Sequence, residues 1–451
     1  MTPEDLLTLA CGVTARAQQG EQIEVACSHS RMRSIRVYDG EVEAMTTADN
    51  AGIGVRVLVD GREGFASAGS LDPDVVDAML VEARENARFA EADPYVGVAE
   101  PDGVEAVDID LWSKGVGATP IQDKIDLALQ LEARVRAADP RITGVRTSSY
   151  SDNDGAFALA STSGIEAATN ATSATIAIQA LAEDGEKTQT GFGWDGARSP
   201  NDLDLDRVVG RAVSQTVDLL GATKPATSKV QLVLDPHLTA TVMGLIAGTL
   251  TGDGVIKGRS PFVDRVGEQV ASPLINLVDD PTNPASLGAD SHDGEGLATR
   301  RVPLIIDGVL QGFLHDSYTG RRSGQGSTGS AVRGTRGLPS PGVHALALSP
   351  GVDGTGVEDL IGDVDHGVLV FGLAGIHSGV NPVSGDFSVG VEGRMIRNGV
   401  LAEPISECTI SSTLQRMLLD TQIVAGDLTH LPSGVSVPSI VIGDVMLSGG
   451  S

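Results

Sequence analysis

Gly52-Ile53-Gly54-Val55-Arg56-Val57-Leu58-Val59-Asp60-Gly61-Arg62-Glu63-Gly64-Phe65-Ala66 is the stretch from which the fold is read. The runs on either side of Asp60-Gly61 predict two antiparallel strands, because an Asp-Gly pair takes the positive φ angles of a two-residue hairpin at little cost. Upstream, residues 22–27, 34–38 and 41–46 read as further strands, with Asp39-Gly40 as a second hairpin turn. Helices flank this β region. Thr2-Pro3-Glu4-Asp5 combines a capping Thr, a Pro at the first helical position and acids in the first turn, predicting a helix that ends near Gly20. Val76, Met79, Leu80, Ala83 and Ala87 recur at helical spacing over residues 73–90.

The pattern continues downstream. Thr119-Pro120-Ile121-Gln122 reads as a capping box opening a helix to about Ala138, where Asp139-Pro140 stops it. Residues 142–181 read as strands, with turns at 152–155 and at Ser163-Gly164. Residues 204–220 return to helix, since Leu205, Val208, Ala212, Thr216 and Leu219 share one face. Gly221-Ala222-Thr223-Lys224-Pro225-Ala226-Thr227-Ser228 reads as a connection. Beyond it glycines crowd and helical periodicity persists only over residues 237–251. The expected fold class is α+β: an N-terminal α/β domain of strands and helices (1–221), a linker (222–228), and a C-terminal, mostly antiparallel, barrel-like β domain (229–451).

Composition narrows the function classes. The chain has 32 Lys plus Arg against 60 Asp plus Glu, a formal net charge of −28, and no basic run longer than Arg321-Arg322. Phosphate backbones require clustered cations, so nucleic acid is excluded as a partner. No apolar run approaches the ~18 residues of a membrane span, and the acidic opening Met1-Thr2-Pro3-Glu4-Asp5 is no signal peptide. Three scattered cysteines, Cys11, Cys27 and Cys408, form no metal or disulfide pattern, and a cytoplasmic location is expected.

Motifs of known chemistry are few. No His is followed by Glu, so the two-His zinc helix is absent, as are the Gly-x-Ser-x-Gly elbow and the phosphate loop. Gly324-Gln325-Gly326-Ser327-Thr328-Gly329 matches G-x-G-x-x-G but lacks the preceding strand and following helix that give that motif its meaning. His292-Asp293 and His315-Asp316 each set a His beside an acid, as a metal ligand or base would be, and equally as a hydrogen-bonded turn would be. Residues 377–388 pack His377, Ser378, Asn381, Ser384, Asp386 and Ser388 around Gly and Pro, a composition that can present backbone groups to an extended ligand. The alternative is a tight turn whose Asn and Asp satisfy their own backbone. Cys408, within the alternating Ile405-Ser406-Glu407-Cys408-Thr409-Ile410, reads as a small apolar residue in a sheet.

Several of these segments, taken in order, resemble the TldD/TldE (PmbA) family, which is labelled a modulator of DNA gyrase and regarded as a two-subunit metallopeptidase. Gly52–Val57 with Gly64-Phe65-Ala66 resembles its N-terminal signature. Asp293-Gly294-Glu295-Gly296, Gly308-Val309-Leu310-Gln311-Gly312, Ser327–Arg333, and Gly379-Val380-Asn381-Pro382 with Gly385-Asp386-Phe387-Ser388 resemble its C-terminal domain. The resemblance implies two kinds of member. The TldD kind carries an H-E-x-x-x-H helix and a later Cys that together hold zinc, and the TldE kind keeps the fold without them. Anchored on Gly258-Arg259-Ser260-Pro261-Phe262, that motif falls near Met243, Gly244 and Gly248, and no His or Glu lies between Leu238 and Leu250. The chain is therefore similar to the TldE kind, with no metal or cofactor of its own expected and zinc expected in a TldD-type partner. Unfolded peptides or small proteins are the implied substrates, and a homodimer is possible when the chain is alone. The implied groove or partner contact comprises His377, Ser378, Asn381, Gly385, Asp386, Ser388, Ser327, Thr328 and Arg333, with no catalytic residue. Two rival readings remain: a homo-oligomeric peptide-binding or scaffolding protein without catalysis, and an enzyme using His292, Asp293, His315 or His377.

Overall fold

The computed structural model describes residues 1–185 and 187–449. Six strands, β1 (Gln22–Tyr38), β2 (Glu41–Val59), β3 (Arg62–Ala68), β4 (Ile142–Ser161), β5 (Glu166–Asp184) and β6 (Lys187–Ala197), form an antiparallel sheet in the order β3-β2-β1-β4-β5-β6. Both hairpin turns form as read. Asp39 and Gly40, and Asp60 and Gly61, all take positive φ, the conformation that matches the twist of the joined strands.

Alternation decides which face of the sheet is covered. Ile23, Val25 and Cys27 of β1 pack beneath helices α1 (Pro3–Thr14) and α2 (Pro73–Phe89), while Ile35 and Val37 pack beneath α3 (Ile121–Ala138) and α4 (Leu205–Val217). Close approach of α2 requires Gly64, where a Cβ would come within 2.0 Å of the Ala83 carbonyl oxygen. Glu24 and Ala26 point the other way, toward the C-terminal half.

That half is the expected barrel. Strands β7 (Ser228–Leu234), β8 (His366–Ala374), β9 (Asp386–Arg397), β10 (Val400–Thr413) and β11 (Ile440–Ser448) close through β10-β9-β8-β7-β11-β10, and only β7 and β8 run parallel. Helix α5 (Pro236–Gly248) joins this core with Phe262, Val368, Val389 and Ile410. Short strands between Leu277 and Val437 make a second sheet.

Four local expectations fail. Helix α1 stops at Thr14 rather than Gly20. The short strands expected at 22–27 and 34–38 are one 17-residue strand, because β1 pairs with β2 and β4 through its polar middle, Ser28–Arg33. Residues 152–155 are not a turn but the middle of β4, where the buried Asp152 accepts hydrogen bonds from Lys124 (2.5 Å), Arg33 (2.8 Å) and the Tyr150 hydroxyl (2.8 Å). The capping box at Thr119 also does not form. Thr119 ends the short helix Lys114–Ala118, its hydroxyl donating to the Gly115 carbonyl, and Gln122 reaches forward to Asp126. Among the described residues no helix is long and apolar enough to cross a membrane.

Candidate functional site

Helix α5 starts from the Asp235 carboxylate, which accepts from the Leu238 N–H, with Pro236 at its first turn. Its apolar residues Leu238, Val242, Met243, Ile246 and Ala247 turn inward. The outer face is left to Gly244 and Gly248, which are exposed and where an added Cβ would meet nothing within 4 Å. Zinc requires nitrogen, sulfur or carboxylate donors converging tetrahedrally, and between Leu238 and Leu250 this face carries none. Cys408 is buried, its thiol donating to the Val391 carbonyl, and burial pushes its pKa up to about 11. Among the described residues no three His, Cys, Asp or Glu side chains are grouped to hold a metal ion. The donor set does not fit zinc.

The titratable groups instead gather where the N-terminal sheet meets the C-terminal half. Arg333, fully buried, pairs with Glu24, and Arg56 pairs with Glu63 while lying 3.6 Å from Glu24. Glu295 accepts the Ser317 N–H (2.8 Å), and Asp293 accepts from the backbone N–H groups of Glu295, Leu297 and Ala331. Burial first, then repulsion from Glu24, Asp293 and Asp316, pushes Glu295 up to about 8, while burial lifts Asp293 to about 6. Burial lowers the pKa of His292 and of His315, which favours the neutral imidazole in both. His315 Nδ1 lies 3.2 Å from the Thr319 hydroxyl, and His292 Nδ1 is buried without a partner. A neutral His beside an ordered backbone can hold a substrate by hydrogen bonding.

Two cavities border this seam, and a third opens within the C-terminal half beside His315. One of about 260 Å³ lies between Phe157 and Leu159 of β4 and His292, Asp293, Arg333 and His344. A second, about 280 Å³, is walled by Arg56, Glu63, Glu295, Asp316 and Tyr318. The largest, about 570 Å³, is an apolar groove of Val255, Ile256, Val302 and Phe313 with His315, Gln325 and Thr328 at its polar side.

The nine residues expected to form a groove are not gathered in one place. Thr328 lines the apolar groove and exchanges hydrogen bonds with the backbone of His315, to whose carbonyl Ser327 also donates. Arg333 faces the first cavity and serves the ion pair with Glu24. His377 and Ser378 lie exposed on the short helix Ile376–Gly379. Asn381 accepts from the Val383 N–H, Ser384 bonds Asp386, and Gly385 takes a φ of +83° against Gln415. That segment satisfies itself as a turn at the start of β9, where Ser388 is exposed. Glu24, Arg56 and Glu295 escaped the sequence reading. The signal present was a charge inside apolar strands: Glu24 beside Ile23 and Val25, and Arg56 between Val55 and Val57.

Models of one family match most of the chain. They are PmbA/TldA metallopeptidase domain 1 over residues 23–87, the central domain over 115–220 and the C-terminal domain over 227–449. The chain is 26% identical over 429 residues to a protein of Escherichia coli O157:H7 named metalloprotease PmbA, covering 94% of this chain and 92% of that one. It is 25% identical over 448 residues to a protein of Methanothermobacter thermautotrophicus named metalloprotease, covering 95% and 96%. A Bacteroides thetaiotaomicron structure described as a modulator of DNA gyrase superposes with a TM-score of 0.88 at 25% identity over 98% of both chains. TldE from Thermococcus kodakarensis shares the fold, with a TM-score of 0.88 at 24% identity over 99% of both chains. The chain thus belongs to the PmbA/TldD metallopeptidase family.

Proposed function

We propose that this chain is the TldE/PmbA-type, metal-free subunit of a heteromeric cytoplasmic zinc metallopeptidase acting on unfolded peptides or small proteins. The observation that carries the reading is the outer face of helix α5. Where the TldD kind is expected to place its zinc-holding side chains, this chain exposes Gly244 and Gly248 and offers no donor. Cys408 supports it too: its thiol is buried, donates to the Val391 carbonyl and belongs to no group of three His, Cys, Asp or Glu side chains among the described residues. The relatives' name, metalloprotease, supports peptide hydrolysis as the chemistry of the assembly, which in this reading falls to a zinc-bearing TldD-type subunit.

This chain's own part is to bind and orient. The apolar groove beside His315 and Thr328 suits a side chain of an extended peptide, with the Gln325 and Thr328 side chains able to meet its backbone. The test is reconstitution. Neither this chain nor a purified TldD-type subunit should cleave unfolded casein at an appreciable rate alone, whereas the mixture should, with the activity lost to a chelator. Chelator-sensitive cleavage by this chain alone would overturn the reading.

A further inference from the structure

The 280 Å³ cavity at the seam has walls whose charges do not balance. It takes Arg56 and Glu63 from β2 and β3, Asp93 from the segment after α2, and Asp253, Glu295 and Asp316 from the C-terminal half. Glu63 pairs with Arg56, and Asp253 with Lys257 (2.7 Å). Asp93, Glu295 and Asp316 have no ion-pair partner among the described residues. The segment after α2 is tied down over the cavity. The Tyr318 hydroxyl donates to Asp93 (2.9 Å), and Arg321 donates to the Tyr95, Gly97 and Val98 carbonyls.

The same walls hold buried polar atoms with unused bonding capacity. Glu295, 1% exposed, takes one hydrogen bond, from the Ser317 N–H to Oε2. Asp316, 2% exposed, takes both of its hydrogen bonds through Oδ1, from the Thr319 N–H and hydroxyl. Glu295 Oε1 and Asp316 Oδ2 therefore have no donor among the described residues. Arg56, 3% exposed, commits its Nε to Glu63. Its Nη1 lies 3.6 Å from Glu24 without a hydrogen bond, and no acceptor among the described residues meets Nη2. Buried donors and acceptors left in this way cost free energy until a partner satisfies them. Against its burial, the charges of Glu24, Glu63 and Glu295 hold Arg56 above the usual arginine range, so the guanidinium and Glu295 lie near each other.

The two sides of the cavity make opposite demands. Carboxylate oxygens without donors call for a cationic N–H group, and the guanidinium calls for an oxygen. A bare diamine meets only the first demand and a lone carboxylate only the second. We propose that this cavity binds an α-ammonium group together with the oxygen of the adjoining carbonyl or carboxylate, as in a free amino acid or a peptide N-terminus. The ammonium sits on Glu295 and Asp316, and the oxygen on the terminal nitrogens of Arg56, all charge-assisted hydrogen bonds. Burial first, then repulsion from Glu24, Asp293 and Asp316, raises Glu295, and an ammonium beside it offsets that repulsion.

Calorimetric titration of the purified full chain at pH 7 with L-alanine, trialanine, N-acetyl-trialanine and putrescine tests this. Binding is read on this chain alone, so the outcome does not depend on reconstituted peptide cleavage. Saturable binding of alanine or trialanine is expected; alanine alone marks a free amino acid as the ligand, and trialanine a peptide end. Acetylation should weaken binding at least about tenfold, and so should Asp316→Asn, which keeps an oxygen for Thr319. Glu295→Gln, which keeps an oxygen for the Ser317 N–H, is a second variant expected to weaken it, with the circular dichroism of the wild type. Absence of saturable binding at millimolar alanine and trialanine overturns the proposal. So does binding of N-acetyl-trialanine or putrescine as tight as that of trialanine, or wild-type affinity in both variants.

Discussion

Replacing Glu295 by Gln should make this protein more stable at pH 9 and leave it nearly unchanged at pH 5. Glu295 is sealed between the two halves, and the same carboxyl in the unfolded chain ionises near 4.5, against about 8 in the fold. The folded state thus holds a proton that the unfolded state has lost. The stability this contributes is complete below pH 4.5 and is lost as pH rises through 8. The interval from 4.5 to 8, at ~1.4 kcal/mol per pH unit, sets an upper limit of about 5 kcal/mol. Hydration through the adjoining 280 Å³ cavity reduces the expected loss to ~2 kcal/mol. Gln keeps an oxygen for the Ser317 N–H and never ionises. Urea unfolding of both proteins at half-unit steps from pH 5 to 9 should give a stability difference that grows in favour of Glu295→Gln between pH 5 and 8 and levels off above 8. Parallel curves across that range would refute the assignment of a buried, proton-holding carboxyl.

The other expectations concern single contacts. Arg333→Met leaves the fully buried Glu24 with Arg56, 3.6 Å away, as its remaining cation, so a loss of ~3 kcal/mol is expected in denaturant unfolding; a loss below 1 kcal/mol would mean that Arg56 or water compensates Glu24 in full. Gly64→Ala puts a methyl into the backbone of α2 and should cost ~2–3 kcal/mol, read as a lower melting temperature. Burial holds the Cys27 thiol at about 12 and that of Cys408 at about 11. Ellman's reagent at pH 8 should therefore titrate at most Cys11 in the native protein and all three thiols in guanidinium.

What the sequence revealed was whatever rests on local chemistry. Asp39-Gly40 and Asp60-Gly61 force hairpins wherever they stand between strands, and Thr2 caps α1 with Asp5 returning the bond to its backbone. The continuity of β1 and β4 was hidden, because Ser28–Arg33 and Asp152–Gly155 look like turns until partners from distant segments supply the ladder. Thr119-Pro120 misled for a similar reason: the preceding short helix claims the Thr hydroxyl first. The buried seam draws Glu24, Arg56, Glu295 and Arg333 from segments up to 309 residues apart, and no local pattern announces such a meeting. Absence was more legible. A helix without His or Glu between Leu238 and Leu250 could be read directly, and the fold adds that its open face consists of Gly244 and Gly248.

The central claim is that this chain holds no catalytic metal of its own, and zinc per chain, measured by elemental analysis on the protein purified alone, tests it most directly. A ratio near zero, unchanged when Cys408 is replaced by Ala, is the predicted result. A ratio near one would contradict the account and direct mutagenesis to His292, Asp293 and His315.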